Sequence, residues 1–205
     1  MAAPVFVLAS ASPIRQTILK AGGLTPVVCP SDLDEGSVRE PEPSLLVQRL
    51  AQGKAERVAP QFAGQEALIL GCDSVLWAGG EICGKPKTPE RAIALWQRLR
   101  GGKGVLYTGH CLIDVRQQKT LVRVGATTVH FAVSTDREIA GYVGTGEPLN
   151  CAGGFTLEGV GGWLIEGLEG CHTNVLGLSL PLLRQMLREL GYLLEFTEDR
   201  QLQLR

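Results

Sequence analysis

Two kinds of apolar run alternate along this chain. Short runs that are apolar at both parities predict strands buried on both faces, and Val5–Leu8 and residues 67–76 are the clearest. Runs that are apolar every third or fourth residue predict helices. Ile14, Ile18 and Leu19 form one stripe behind Pro13, with Ser12 as the N-cap. Leu46, Val47, Leu50, Ala51 and Ala55 form a second, in a helix capped by Ser44 and running through Val58. Lys54 lies within about a turn of that face. Thr88 caps a third helix, with Pro89 and Glu90 in its first turn and the apolar pattern over 91–99, Ser134 caps a fourth through Val143, and residues 182–190 make a last amphipathic helix. Residues 25–29 predict another strand. Residues 105–115 and 119–133 predict an antiparallel pair turning near Gln117 and Gln118, and 77–81 reads as a hairpin turn. The alternation implies an α/β fold, and the length suits one domain over 1–205.

Composition narrows the function. A net charge of -1 and an aromatic content of 5% argue against a nucleic-acid binder, which needs a basic groove and stacking rings. None of the six cysteines is spaced as CxxC, so a zinc knuckle or dithiol motif is not expected; they read as buried small hydrophobes rather than a disulfide framework. The N-terminus lacks a secretory pattern and no run is long enough to span a membrane. The expectation is a cytoplasmic protein with neither membrane nor nucleic acid as partner.

The chemistry-bearing residues fall at element ends. Val5–Leu8 runs through Ser10 and Ser12 into a helix N-terminus, with Arg15 one turn on. Helix N–H groups, two hydroxyls and a guanidinium suit an anion such as phosphate. An ordinary capped helix with an exposed arginine accounts for the same residues. Asp73 lies inside an apolar run, where a carboxylate is costly unless paired or bound to a cation. A helix cap or an internal salt bridge is its structural reading. The functional one ranks ahead because the apolar run resumes with no helix to cap. Lys85 stands between Gly84 and Pro86, which restricts its backbone; a solvated loop lysine is the alternative. His110 suits a ligand or base, or a structural imidazole, and His130 a strand face. Residues 30–36 form an acidic loop. The Gly-rich segment 148–162 lets backbone approach a ligand, or is a surface loop.

Taken in order, these pieces resemble the Maf family of nucleotide pyrophosphatases. Leu8-Ala9-Ser10-Ala11-Ser12-Pro13-Ile14-Arg15 looks like its Ser-x-Ser-x-Arg-Arg, and Gly71-Cys72-Asp73-Ser74-Val75 like its central Asp motif. Gly84-Lys85-Pro86 is similar to its Gly-Lys-Pro, and Asn174-Val175-Leu176-Gly177-Leu178 with Pro181 to its C-terminal motif. Asp34-Glu35 and Lys54-Ala55 fall in the family's order. The resemblance covers nearly the whole chain. One position departs: Ile14 stands where the family has the first Arg of its pair, so one positive charge is missing from the phosphate cradle.

The resemblance implies an elongated mixed sheet with flanking helices and a cleft between two lobes, similar to inosine triphosphate pyrophosphatases. It implies a hydrolase that cleaves a nucleoside triphosphate to the monophosphate and pyrophosphate with a divalent cation, Mg or Mn. Family members are linked to cell-division arrest and to clearing non-standard nucleotides. Carried onto this chain, Asp73 and Lys85 are catalytic, Ser10, Ser12, Arg15 and Lys54 bind phosphate, and Glu35 and Asp73 hold the metal. Glu158 with Asn150-Cys151 looks nearer the 7-methyl-GTP branch than the dTTP and UTP branch, and Glu158 is the base contact. A nucleoside triphosphate is the expected partner, and a homodimer is compatible with the family. A non-catalytic nucleotide-binding regulator of division is the competing reading.

Overall fold

The computed structural model describes residues 4–205. It is a mixed α/β protein built on a seven-stranded sheet. In chain order the strands are β1 (Val5–Leu8), β2 (Val27–Val28), β3 (Ala67–Ala78), β4 (Glu81–Cys83), β5 (Lys103–Asp114), β6 (Lys119–Phe131) and β7 (Ile165–Glu169), with β8 (Leu194–Phe196) and β9 (Leu202–Leu204) forming a separate antiparallel pair. The helices are α1 (Pro13–Ala21), α2 (Pro43–Val58), α3 (Pro89–Leu99), α4 (Asp136–Gly144), α5 (His172–Val175) and α6 (Leu180–Glu189). The sheet order is β2-β1-β3-β5-β6-β7, with β4 paired to β3. β1 runs parallel to both β2 and β3, whereas β3–β4 and β6–β7 are antiparallel.

The chain divides into two compact units. One comprises Met1–Asp73, Thr108–Gly125 and Gly177–Arg205; the other comprises Ser74–Tyr107 and Ala126–Leu176. β3, β5 and β6 each contribute residues to both.

In the first unit, Val7 and Ala9 join Ala67, Ile69 and Cys111 against Ala51, Ala55 and Val58 of α2. α2 lies close to β3 because residue 71 is glycine. A Cβ there would stand 2.1 Å from the Ala51 carbonyl oxygen, a backbone atom with nowhere to go. The helix begins two residues earlier than its sequence suggests. Pro43 takes the first position, and Glu42, not Ser44, is the N-cap, accepting from the Ser44 N–H at 3.1 Å.

In the second unit, Trp96 of α3 is fully buried and makes edge-on contacts with Phe131, centroids 5.7 Å apart, and Tyr142, 5.3 Å apart. Phe131 packs edge-on against Phe155 in turn. Such pairs add about 0.5–1.5 kcal/mol each beyond their buried area. The Trp96 indole N–H donates to the Gly154 carbonyl at 2.8 Å, which ties the Gly-rich segment to α3. Thr135, not Ser134, caps α4. It forms a reciprocal box with Glu138, each side chain bonding the other's backbone N–H.

All six cysteines are free thiols, and Cys72, Cys83 and Cys111 are buried. Among the described residues no helix is long and apolar enough to cross a membrane.

Candidate functional site

β1 and β3 pair in parallel register, Leu8 opposite Leu70, and the Ala9 N–H donates to the Leu70 carbonyl at 2.8 Å. That register carries Ser10 alongside the 71–73 stretch. Ser10 is buried, and its hydroxyl oxygen accepts from the Ser12 N–H and from the Arg15 guanidinium, each at 3.2 Å. Ser12 is the N-cap of α1 by backbone position, but its side chain makes no capping bond. Arg15 also donates through Nε to the Gly177 carbonyl at 2.8 Å. One guanidinium therefore spans the turn after β1 and the turn before α6.

Lys54 shows the clearest difference from sequence reasoning. It is not beside the apolar face of α2 but on it, 7% exposed. The close approach allowed by Gly71 aims its ammonium at Asp73, with Nζ 2.5 Å from Asp73 Oδ1 and 2.7 Å from Glu35 Oε1. Asp73 is itself 9% exposed. The internal salt bridge that sequence reasoning ranked second for Asp73 is thus present, and Glu35 shares it. Glu35 opens the short 3-10 turn Glu35–Ser37, whose N-cap Asp34 accepts from the Gly36 N–H at 3.1 Å.

The Cys72 thiol reports the same cluster. Burial pushes it up to about 11, Arg15 and Lys54 pull it down, and Asp73 pushes it up. It is an inert thiol.

His110 is a fully buried structural imidazole. The Ser179 N–H, which can only donate, points at Nε2 at 2.8 Å, so that nitrogen is the acceptor and the proton sits on Nδ1, 3.1 Å from the Thr108 carbonyl. Burial first, and the Arg15 charge second, lower its pKa to about 4, against a small upward pull from the Thr108 carbonyl. Ser179 also caps α6, accepting from the Leu182 N–H at 3.3 Å. His130 is on the surface of β6, 2.9 Å from Glu169.

The second unit carries Lys85 and Glu158. Lys85 is exposed between β4 and the Thr88 cap of α3. Two residues on, Lys87 adopts a φ of 70°; its N–H donates to the Leu149 carbonyl at 2.9 Å and its ammonium reaches Asn150 Oδ1 at 3.4 Å. The Gly-Lys-Pro segment is thereby tied to the 3-10 turn Glu147–Asn150. Glu158 is exposed, and its carboxylate accepts from the Leu157 N–H at 3.1 Å. Lys85 and Glu158 both act on Cys151, whose thiol is pushed up first by burial, then by Glu158 and Glu147, and drawn down by Lys85.

Glu147 is a residue that sequence reasoning passed over. Its carboxylate accepts from the Thr156 hydroxyl, the Gly161 N–H at 2.8 Å and the Val160 N–H at 3.0 Å. The available signal was an acid between Gly146 and Pro148, directly ahead of a glycine-rich run whose N–H groups need acceptors. Asn174 serves structure, donating through Nδ2 to the Leu106 carbonyl at 3.1 Å and to the Thr127 hydroxyl at 3.2 Å.

The geometry gathers two carboxylates on one cation beside a serine–arginine pair in one unit, and a lysine and a carboxylate around Cys151 in the other. The family pattern described as Maf-like protein matches residues 5–190. The chain is 56% identical over 192 residues to a Nostoc punctiforme protein named nucleoside triphosphate pyrophosphatase, covering 94% of this chain and 96% of that one. Proteins of the same name from Trichormus variabilis and Synechocystis sp. are 58% and 53% identical, covering 91% and 94% of this chain and 94% and 97% of their own. With the sheet, the motif residues and this similarity in agreement over nearly the full length, the chain belongs to the Maf-like family.

Proposed function

We propose that this protein is a nucleoside triphosphate pyrophosphatase that takes a guanine-type, 7-methylated nucleotide with the help of a divalent cation. The observation that carries the reading is the convergence of Asp73 and Glu35 on a single positive charge, next to the Ser10–Arg15 pair. Mere nucleotide binding has no need of carboxylates opposed to phosphate, which argues against a purely regulatory binder. The name shared by the relatives supports the same activity.

The carboxylate pair fits a hard cation. Two oxygens that reach one atom at 2.5 and 2.7 Å already converge, and both are the ligand type that Mg and Mn prefer. Among the described residues no group of three or more His, Cys, Asp or Glu could hold a metal. A site of one or two carboxylates completed by substrate phosphates is the usual arrangement for Mg²⁺. Once bound, the cation supplies positive charge at the phosphate oxygens and acidifies the attacking water.

The chain's own groups do the rest. Ser10, Ser12 and Arg15 bind phosphate oxygens through hydroxyl and guanidinium donors. Lys54, which the family resemblance makes a phosphate ligand, holds the two carboxylates together and balances their charge, and would turn to the phosphates as a cation takes its place. Asp73 orients a water toward the α-phosphorus and takes its proton. The water oxygen bonds to that phosphorus as the bridging bond to the β-phosphate breaks, and pyrophosphate leaves. A bound cation would acidify the water enough for a carboxylate to take its proton. Lys85 offsets negative charge as the bond breaks.

The base assignment rests on Glu158. A carboxylate only accepts hydrogen bonds, and the guanine edge presents two adjacent donors, N1–H and the amino group. A positively charged methylated ring adds attraction to the carboxylate. The bland alternative is a solvated Glu158.

The test is to incubate the protein with a panel of standard and modified nucleoside triphosphates plus Mg²⁺ or Mn²⁺ and identify the phosphate released. Pyrophosphate, formed only with the cation, is the expected product. Stepwise orthophosphate, or release without a cation, would overturn the proposal.

A further inference from the structure

We infer that Glu147 is the positioning residue for base recognition: its carboxylate holds segment 156–161 in shape and so places Glu158. The inference rests on the proposed reading of Glu158 as the base contact.

An ionised carboxylate offers about four acceptor sites. At Glu147 they meet the Thr156 hydroxyl, the Val160 N–H, the Gly161 N–H and the Tyr142 hydroxyl. Glu147 is thus turned onto the loop's own donors, and it acts through the loop. Burial pushes its pKa up, but the hydrogen bonds from Thr156, Gly161 and Val160 outweigh burial and bring it below the usual carboxylate range. It stays charged and bonded through neutral pH.

The donors bracket residue 158. Thr156 grips the carboxylate from the N-terminal side of Glu158 and Val160 and Gly161 from the C-terminal side. Glu158 is at the tip, exposed, its carboxylate accepting from the neighbouring Leu157 N–H. Residue 159 must be small for this to work. A Cβ on Gly159 would stand 2.4 Å from Glu147 Oε2. Tyr142, buried in the α4 core, adds a second hold by accepting from the Thr156 N–H at 3.3 Å. Phe155 and Leu157 anchor the start of the loop on the core, while Val160 is exposed, so the turn from 158 to 161 leans on this charged acceptor.

Glu147→Gln keeps the size and turns part of the acceptor into an amide donor facing N–H donors. The experiment compares the natural protein with Glu147→Gln, Thr156→Val and Glu158→Gln. It reads amide hydrogen exchange at 160 and 161, and KM and kcat for 7-methyl-GTP, GTP, UTP and dTTP with Mg²⁺. For Glu147→Gln, exchange at both amides rises roughly tenfold or more, in line with the loss of a charge-assisted hydrogen bond. KM for the preferred nucleotide rises roughly tenfold while kcat changes far less, and the spread of kcat/KM across the panel narrows. Thr156→Val, which keeps the carboxylate, shows the same pattern more weakly, and it carries the test if Glu147→Gln does not fold. Faster exchange with KM and ranking unchanged makes Glu147 a structural residue only and overturns the inference. Glu158→Gln separates the two ideas. A ranking moved by Glu158→Gln but not by Glu147→Gln overturns the positioning role and keeps Glu158 as the base contact. A ranking flattened by Glu147→Gln but not by Glu158→Gln keeps the loop and removes Glu158. A ranking moved by neither overturns both.

Discussion

Lys54 meets Asp73 across 2.5 Å, both side chains nearly out of water, and the half-exposed Glu35 closes on the same ammonium. A divalent cation held by those carboxylates, as proposed, would compete with Lys54 for their oxygens. Removing the lysine leaves two carboxylates facing each other, and breaking a buried pair costs about 3 kcal/mol or more. Lys54→Ala is therefore expected to melt well below the natural protein without a divalent cation, and to regain more on adding Mn²⁺, because ligand binding to the folded state raises stability by mass action. Thermal melts with and without Mn²⁺ measure this. Equal Mn²⁺ shifts in the two proteins would place the cation elsewhere.

Asp73→Asn keeps the side chain's shape and leaves Lys54 its bond to Glu35. Turnover should fall roughly 1000-fold, as for a lost general base, while circular dichroism stays native. Lys85→Ala removes one positioned donor and should lower kcat by about 100-fold. An Asp73→Asn protein that unfolds while its folded remainder keeps full activity would make Asp73 structural.

These residues were legible in the sequence to different degrees. Val5–Leu8 entering α1, and Asp73 inside an apolar strand, could be read because each departs from its local pattern. The α2 and α4 caps were placed one or two residues off, since Ser44 and Ser134 compete with better-placed Glu42 and Thr135. The Thr135-x-x-Glu138 spacing was the signal for the second. The roles of Lys54 and Glu147 were hidden, because their partners come from other elements: Asp73 is 19 residues from Lys54, and Gly161 is 14 from Glu147. Sequence periodicity assigns a face but not the partner across it.

Gly71→Ala tests how Lys54 is aimed. The new methyl would sit 2.1 Å from the Ala51 carbonyl oxygen, so α2 must move away from β3. We expect a loss of about 3 kcal/mol, the upper end for an overpacked core, together with reduced turnover as Lys54 leaves Asp73. Denaturant melts and kcat measure the two effects. An unchanged midpoint would mean that the helix is not held at this distance in solution.

His110 sets an acid limit on stability. Its folded pKa is lowered to about 4, against about 6.5 unfolded, so between those values the unfolded chain binds the extra proton. The stabilisation is full above about pH 6.5 and is lost as the pH falls toward 4, by roughly 2 kcal/mol at pH 5 and roughly 3 kcal/mol in all. A protonated ring also loses the acceptor for the Ser179 N–H, loosening the turn whose Gly177 carbonyl holds Arg15. Denaturant midpoints from pH 7.5 to 4.5 should show this slope in the natural protein, and His110→Gln should flatten it. A slope untouched by His110→Gln would assign the acid sensitivity to carboxylates instead.

Glu158 offers the sharpest test of substrate choice. It is exposed in the Gly-rich segment, and its carboxylate contributes acceptors only. A thymine or uracil edge mixes an acceptor with an N–H and would place a carbonyl oxygen against that carboxylate. A guanine edge offers two adjacent donors, and N7 methylation adds positive charge. Sites that hydrogen-bond a specific edge reject the mismatched one, because the group that a bound base covers is then left unpaired. The natural protein should rank 7-methyl-GTP and GTP above UTP and dTTP by kcat/KM. Glu158→Gln, whose amide both donates and accepts, should shift the ranking toward the pyrimidines by roughly tenfold or more, the scale of one hydrogen bond to a charged group. A natural preference for UTP or dTTP, or a ranking indifferent to Glu158→Gln, would leave Glu158 a solvated loop residue and move base selection elsewhere in the segment that Glu147 holds.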